Sequence, residues 1–177
     1  MLARSRKSAL RLGLSLLVAI PLFLAMISPA SASETITCIP VFAPGEQTVF
    51  THEFVHAAGP NTFWVEHGYH YASANNCGGD SVMQFVNRYT VFGNGNFHAR
   101  GWGTFSGTLW NGQRLTQPGS IDVRVIVNGM LDKGIIEANF YFQHGSGGYA
   151  NLHGQIREVI DFNAGTDVNV LQYHFDP

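Results

Sequence analysis

The stretch Gly95–Leu109 reads GNFHARGWGTFSGTL, and its residues fall into two sets. Phe97, Ala99, Gly101, Gly103, Phe105, Gly107 and Leu109 take the odd positions; His98, Arg100, Trp102, Thr104, Ser106 and Thr108 take the even ones. Successive side chains of a β-strand point to opposite faces, so this pattern describes a strand with one small, apolar face and one bulkier, polar face. Glycines spaced by two weaken a flat strand, and they suit a sheet that coils tightly or meets another backbone closely. Closing a sheet into a barrel requires such coiling.

Comparable segments recur on both sides. Ile121, Val123, Val125 and Val127 alternate against Asp122, Arg124 and Asn128. Runs rich in Val, Ile, Phe, Tyr and Thr, bounded by turn-forming residues, predict eight strands: 48–56, 63–72, 81–92, 96–110, 121–128, 135–142, 148–162 and 168–176. The breaks AGPN, ANNCGGD, GNG, NGQRLTQPGS, GMLDKG, HGSG and NAGTD tolerate turn geometry. No long amphipathic helix is expected after residue 33, although helical and strand spacing both fit the first two segments. Eight antiparallel strands with one apolar face make a sandwich or a closed barrel. Closure removes both exposed edges, and the expected fold is all-β, a single antiparallel barrel of about eight strands.

Residues 1–32 hold Arg4, Arg6, Lys7 and Arg11, then an apolar run from Leu12 to Ile27, then Ala30-Ser31-Ala32. Basic, apolar, then small-x-small is the order of a secretory signal peptide cleaved after Ala32, which leaves residues 33–177 as one domain outside the cell. The apolar run contains Pro21 and is shorter than the roughly 20 residues that span a bilayer. Four of the 10 Lys and Arg precede residue 33, so the exported part keeps six against all 12 acids, a net charge of −6. Nucleic-acid binding needs clustered cations, which this part lacks, and after cleavage no membrane contact is expected. The two cysteines, Cys38 and Cys77, both lie in the exported part, where an oxidising compartment lets them pair and tie the N-terminal segment down.

Gly145-Ser146-Gly147-Gly148-Tyr149-Ala150-Asn151-Leu152-His153-Gly154 resembles a late-strand pattern of the dirigent and allene oxide cyclase barrel superfamily: Gly-small-Gly-x-aromatic, four residues, Gly. The likeness runs from about Ser81 to the C-terminus. It implies a secreted, bacterial-type member of that superfamily, an eight-stranded barrel, trimeric as many members are, with a cavity for hydrophobic small molecules. The resemblance carries no catalytic residue over, and fold likeness alone does not establish an activity.

Three sets of residues are candidates for chemistry. His52, Glu53 and His56 spell H-E-x-x-H, which on a helix places both histidines on one face to grip zinc, with the glutamate as general base of a peptidase. The longer form of the motif fails at Thr62, leaving Glu66, His67 or His70 as substitute ligands. On a strand, His52 and His56 would stand about 13 Å apart at ~3.3 Å per residue, too far to share one zinc; one of them could instead meet His67 or His70 across a hairpin. The second set is Arg88, Arg100, Glu137, Asn139 and Arg157, charged or polar residues within predicted strands. Any that point inward would be lumen groups for a ligand, because a buried charge needs a partner; facing out, they are outer-wall residues. The third set is aromatic: Phe140, Tyr141 and Phe142 are consecutive, so both faces of one strand carry rings, one face toward the core and one toward a subunit or the N-terminal segment. No G-x-S-x-G occurs, and Gly93-Asn94-Gly95 leads into a strand rather than the helix of a phosphate loop. The leading expectation is a cofactor-free barrel that binds, and guides or isomerises, a small hydrophobic ligand. The alternatives are the zinc peptidase and a barrel packed shut.

Overall fold

The computed structural model describes residues 34–41 and 47–177. The signal-peptide reading falls on residues 1–32, outside the described residues. Nine strands and no helix occur among the described residues: β1 (Ile36–Cys38), β2 (Gln47–Ala58), β3 (Asn61–Ala72), β4 (Gly78–Val91), β5 (Phe97–Leu109), β6 (Gly119–Met130), β7 (Ile135–Gly147), β8 (Leu152–Asp161) and β9 (Thr166–Phe175). They form one antiparallel sheet in the order β1-β9-β8-β7-β6-β5-β4-β3-β2. From β2 to β9 every strand pairs with its chain neighbour, so each connection is a hairpin.

All eight expected strands are present, and the ninth is β1. Three residues around a cysteine are too short to show a period, which is why alternation could not find it. The strand expected from residue 148 starts at Leu152, because β7 runs on to Gly147 and residues 148–151 make the turn. The sheet is not closed by hydrogen bonds: β2 pairs with β3 on one side and with no described strand on the other.

The core lies on the face that the alternation assigns. On β6, Ile121, Val123, Val125 and Val127 are buried while Asp122, Arg124 and Asn128 are exposed. Phe140 and Phe142 on β7 are buried, with Tyr141 on the other face. Each such side chain contributes about 1.5–3 kcal/mol by leaving water, which favours the single register that turns all of them inward. The glycines explain how bulky rings fit on this face. Phe85 on β4 lies over Gly68 on β3, where a Cβ would come 2.2 Å from the ring.

The motif Gly145–Gly154 closes one end of this core. Tyr149 is fully buried in the β7–β8 turn, its ring stacked on Phe105 at 5.9 Å. A Cβ at Gly145 would stand 1.8 Å from the Tyr149 carbonyl oxygen, so the close approach needs glycine there. Gly147 has φ of 60°, a conformation that glycine adopts without strain.

The Cys38–Cys77 disulfide is present. Its position has an architectural effect: β1 pairs with β9, while Cys77 stands in the loop before β4, so the bridge fastens the late edge of the sheet to its early strands. Asn76 reinforces the join, its Nδ2 donating to the Ile39 carbonyl at 2.9 Å and its Oδ1 accepting from Val41 N at 2.8 Å. Tyr173 of β9 likewise donates to the carbonyl of Trp110, beyond β5, at 2.6 Å.

Candidate binding cavity

The apolar face of the sheet curves around a cavity of about 680 Å³. Its walls come from both ends of the sheet: Phe50 and His52 on β2, Met83 and Phe85 on β4, Phe140 on β7, Ile156 on β8 and Leu171 on β9. The size falls within the ~300–1,000 Å³ typical of small-molecule sites, and so does the mixture of apolar wall and a few convergent polar groups.

Those polar groups follow from strand alternation. Glu66 on β3, Asn87 and Tyr89 on β4, Glu158 on β8 and Asp167 and Asn169 on β9 share the concave face with the apolar residues two positions away. Glu66 is only 6% exposed. Its carboxylate is held by three neighbours: Tyr89 Oη donates to Oε1 at 2.7 Å, Asn87 Nδ2 donates to Oε1 at 3.1 Å, and His52 Nε2 lies 2.8 Å from Oε2. Such bonding is what lets a carboxylate remain in a largely apolar setting. Burial, reinforced by the adjacent Glu66 charge, raises the Tyr89 hydroxyl well above its ordinary value and keeps it a donor.

Glu158 has a different environment. Burial, with Asp167 adding to it, pushes its carboxyl up to about 7; the Asn169 amide opposes this weakly and Glu66 adds a further small rise. Partial desolvation raises Asp167 too, with His70 pulling the other way. Two glutamates in one cavity thus differ in role: Glu66 is tied by donors, and Glu158 exchanges a proton near neutrality.

Of the residues singled out in the sequence, His52, Glu66, His70 and Phe140 line this cavity, and the charged or polar strand residues lie outside it. Arg88, Arg100, Glu137 and Asn139 are on the convex face and do not line the cavity, because each is one residue out of phase with the buried set. Arg88 lies over the Trp102 ring at 5.7 Å, Arg100 Nε donates to His98 Nε2 at 3.1 Å, and Glu137 meets Arg157 at 3.7 Å on the outside. The polar groups of the cavity include Glu66, Asn87, Tyr89, Glu158 and Asp167. Their signal was available, since Glu158 lies between Ile156 and Ile160 in the period-two pattern, and Asn87 between Phe85 and Tyr89.

Residues 48–58 are strand, so the helical geometry on which H-E-x-x-H depends is missing there. His52 faces Glu66, Glu53 is on the opposite face of β2, and His56 stacks on Phe63 at 4.4 Å beyond a bulge. His70 Nδ1 lies 2.7 Å from Thr48 Oγ1, and His67 is exposed. Among the described residues no three His, Cys, Asp or Glu side chains converge as a metal-holding group.

A scan against protein-family models finds no match to this chain, and a search of curated protein sequences finds none either.

Proposed function

We propose that this chain is a secreted β-barrel protein of the dirigent and allene oxide cyclase class, which takes a small hydrophobic molecule into its lumen and guides or isomerises it without a cofactor. The observation that carries the reading is the cavity of about 680 Å³ with apolar walls and a few polar side chains among them. A barrel packed shut would leave no such volume. Barrel closure is supported by the chain-order meander and by residues of β2 and β9 lining the same space. Export is supported by the disulfide; among the described residues no helix is long and apolar enough to cross a membrane. Association into trimers would cover outward aromatics such as Trp102, which is 58% exposed.

For chemistry inside the lumen, Glu158 titrates near the working pH of a general acid or base. The Tyr89–Glu66 pair would orient a ligand oxygen or nitrogen beside it.

Fluorescence titration with N-phenyl-1-naphthylamine, a neutral apolar probe, tests the binding step. One site per chain is expected, and it should be lost in Ala138→Phe and in Ile160→Phe, which fill the cavity from two strands. Failure of the folded protein to bind, or undiminished binding by both folded variants, would overturn the reading.

A further inference from the structure

We infer that the cavity selects a hydrophobic molecule carrying a positively charged nitrogen, and rejects hydrophobic anions. The inference rests on the reading of the cavity as a site for a small hydrophobic molecule and adds the charge of its polar end.

The first observation is the sorting of charge across the sheet. Arg88, Arg100, Arg114, Arg124, Lys133 and Arg157 are the six cationic side chains after residue 33, and all are exposed. None lines the cavity, whereas three carboxyl groups do: Glu66, Glu158 and Asp167. Nothing inside offers a carboxylate or phosphate ligand a fixed positive partner. An anion placed there would lose its hydration and meet like charge, which disfavours it in a setting of low polarity.

The second observation is the surplus of acceptors. Asn87 is 1% exposed, its Nδ2 is used by Glu66, and its Oδ1 has no hydrogen-bond partner. Buried acceptors are ordinarily satisfied, so one left open on a residue of the cavity wall that is bonded to Glu66 gives the polar part of the cavity an acceptor to spare. An ammonium group supplies donors and no acceptor. A bare metal ion fits less well, because among the described residues no three of the carboxyl and imidazole groups converge closely enough to hold one. An organic cation needs no such convergence: its charged end meets Glu158 and Asp167 while its apolar body contacts Phe85, Phe140 and Ile156.

Protonation then gates binding. Glu158 faces Asp167 and Asn169 on its neighbouring strand, feels Glu66 and Tyr89 electrostatically, and shares the cavity with His52 and His70. Its carboxyl is neutral below about 7 and ionised above. A cation whose own charge does not change over that range should therefore bind more tightly as pH rises from 6 to 8.

Isothermal titration calorimetry of the purified protein with decylamine, decanol and decanoate, all below their micellar concentrations, tests this. At pH 8 decylamine is expected to bind at least tenfold more tightly than decanol, with decanoate weakest, and its affinity should fall several-fold at pH 6. Glu158→Gln should abolish the pH dependence and most of the amine preference while leaving decanol unchanged. Asp167→Asn, at a more exposed position, should reduce the preference in the same direction. Equal binding of decylamine and decanol, or preference for decanoate, would overturn the charge selectivity and leave the hydrophobic site standing. Binding of none of the three would overturn the site itself, and the inference with it.

Discussion

Glu158→Gln is expected to make the protein more stable at alkaline pH, although it removes a charged side chain from a polar group. In the unfolded chain this carboxyl titrates at its ordinary 4.5, and in the fold at about 7. Between those values the folded state keeps a proton that the unfolded state has released, so stability falls as pH rises from 4.5 to 7 and stays reduced above. At about 1.4 kcal/mol for each tenfold change in proton affinity, the penalty at pH 8 is about 3 kcal/mol. Glutamine has nearly the same shape, carries no charge and escapes it. For a domain of ~140 residues, an unfolding entropy of ~2.1 cal/mol/K per residue converts 3 kcal/mol into a rise in Tm of roughly 10 °C. Urea denaturation of both proteins at pH 4 and pH 8 measures the effect. The two should be equally stable at pH 4 and differ at pH 8 in favour of the variant. A variant that is less stable at pH 8, or shifted equally at both pH values, would refute the argument that burial raises this carboxyl. A residue that costs the fold this much is retained most economically where binding uses it.

Replacing both Cys38 and Cys77 by Ser should lower stability by about 4 kcal/mol, from the chain-entropy relation applied to a separation of 39 residues; a Tm change under about 3 °C would contradict it. Tyr89→Phe withdraws the 2.7 Å donor from a buried carboxylate and should cost about 1.5–3 kcal/mol in urea denaturation, with no loss expected if Glu66 were solvated. Gly145→Ala forces a methyl against the Tyr149 carbonyl and should lower stability by about 1–3 kcal/mol; an unchanged Tm would mean that the β7–β8 turn yields without cost.

The strands were legible because their burial is one-sided. Ile121 to Val127 and Phe97 to Leu109 give a period of two that only a half-buried strand satisfies, and both lie where the alternation put them. The cavity's polar groups were harder to find because charge draws the eye to the wrong phase. Glu137 and Asn139 bracket the buried Ala138 and must therefore face away from the core. Glu158 is in phase with Ile156 and Ile160, yet a lone glutamate among apolar residues resembles an irregularity until the opposite wall supplies Glu66. The H-E-x-x-H spacing misled for a related reason. A motif is a statement about geometry on one backbone, and His52 and His56 share a metal-binding face only on a helix. The sequence predicts a closed barrel, but strand pairing does not close the sheet among the described residues; alternation fixes faces and says nothing of the edges.

The chain-order meander also sets the order in which the molecule can assemble. Seven of its eight strand pairings join neighbours in the chain, so they form with short loops and little closure entropy, hairpin upon hairpin. The exception is β1, which precedes the other described strands in the chain and pairs with β9, which follows them. Left alone, β1 would wait through the synthesis of everything between them. Both cysteines exist long before β9 does, and their bridge can hold β1 at the rim in the interval. A bridge across 39 residues shortens the loop that the β1–β9 pairing must close, and so lowers the entropy cost of the one long-range pairing among the described strands.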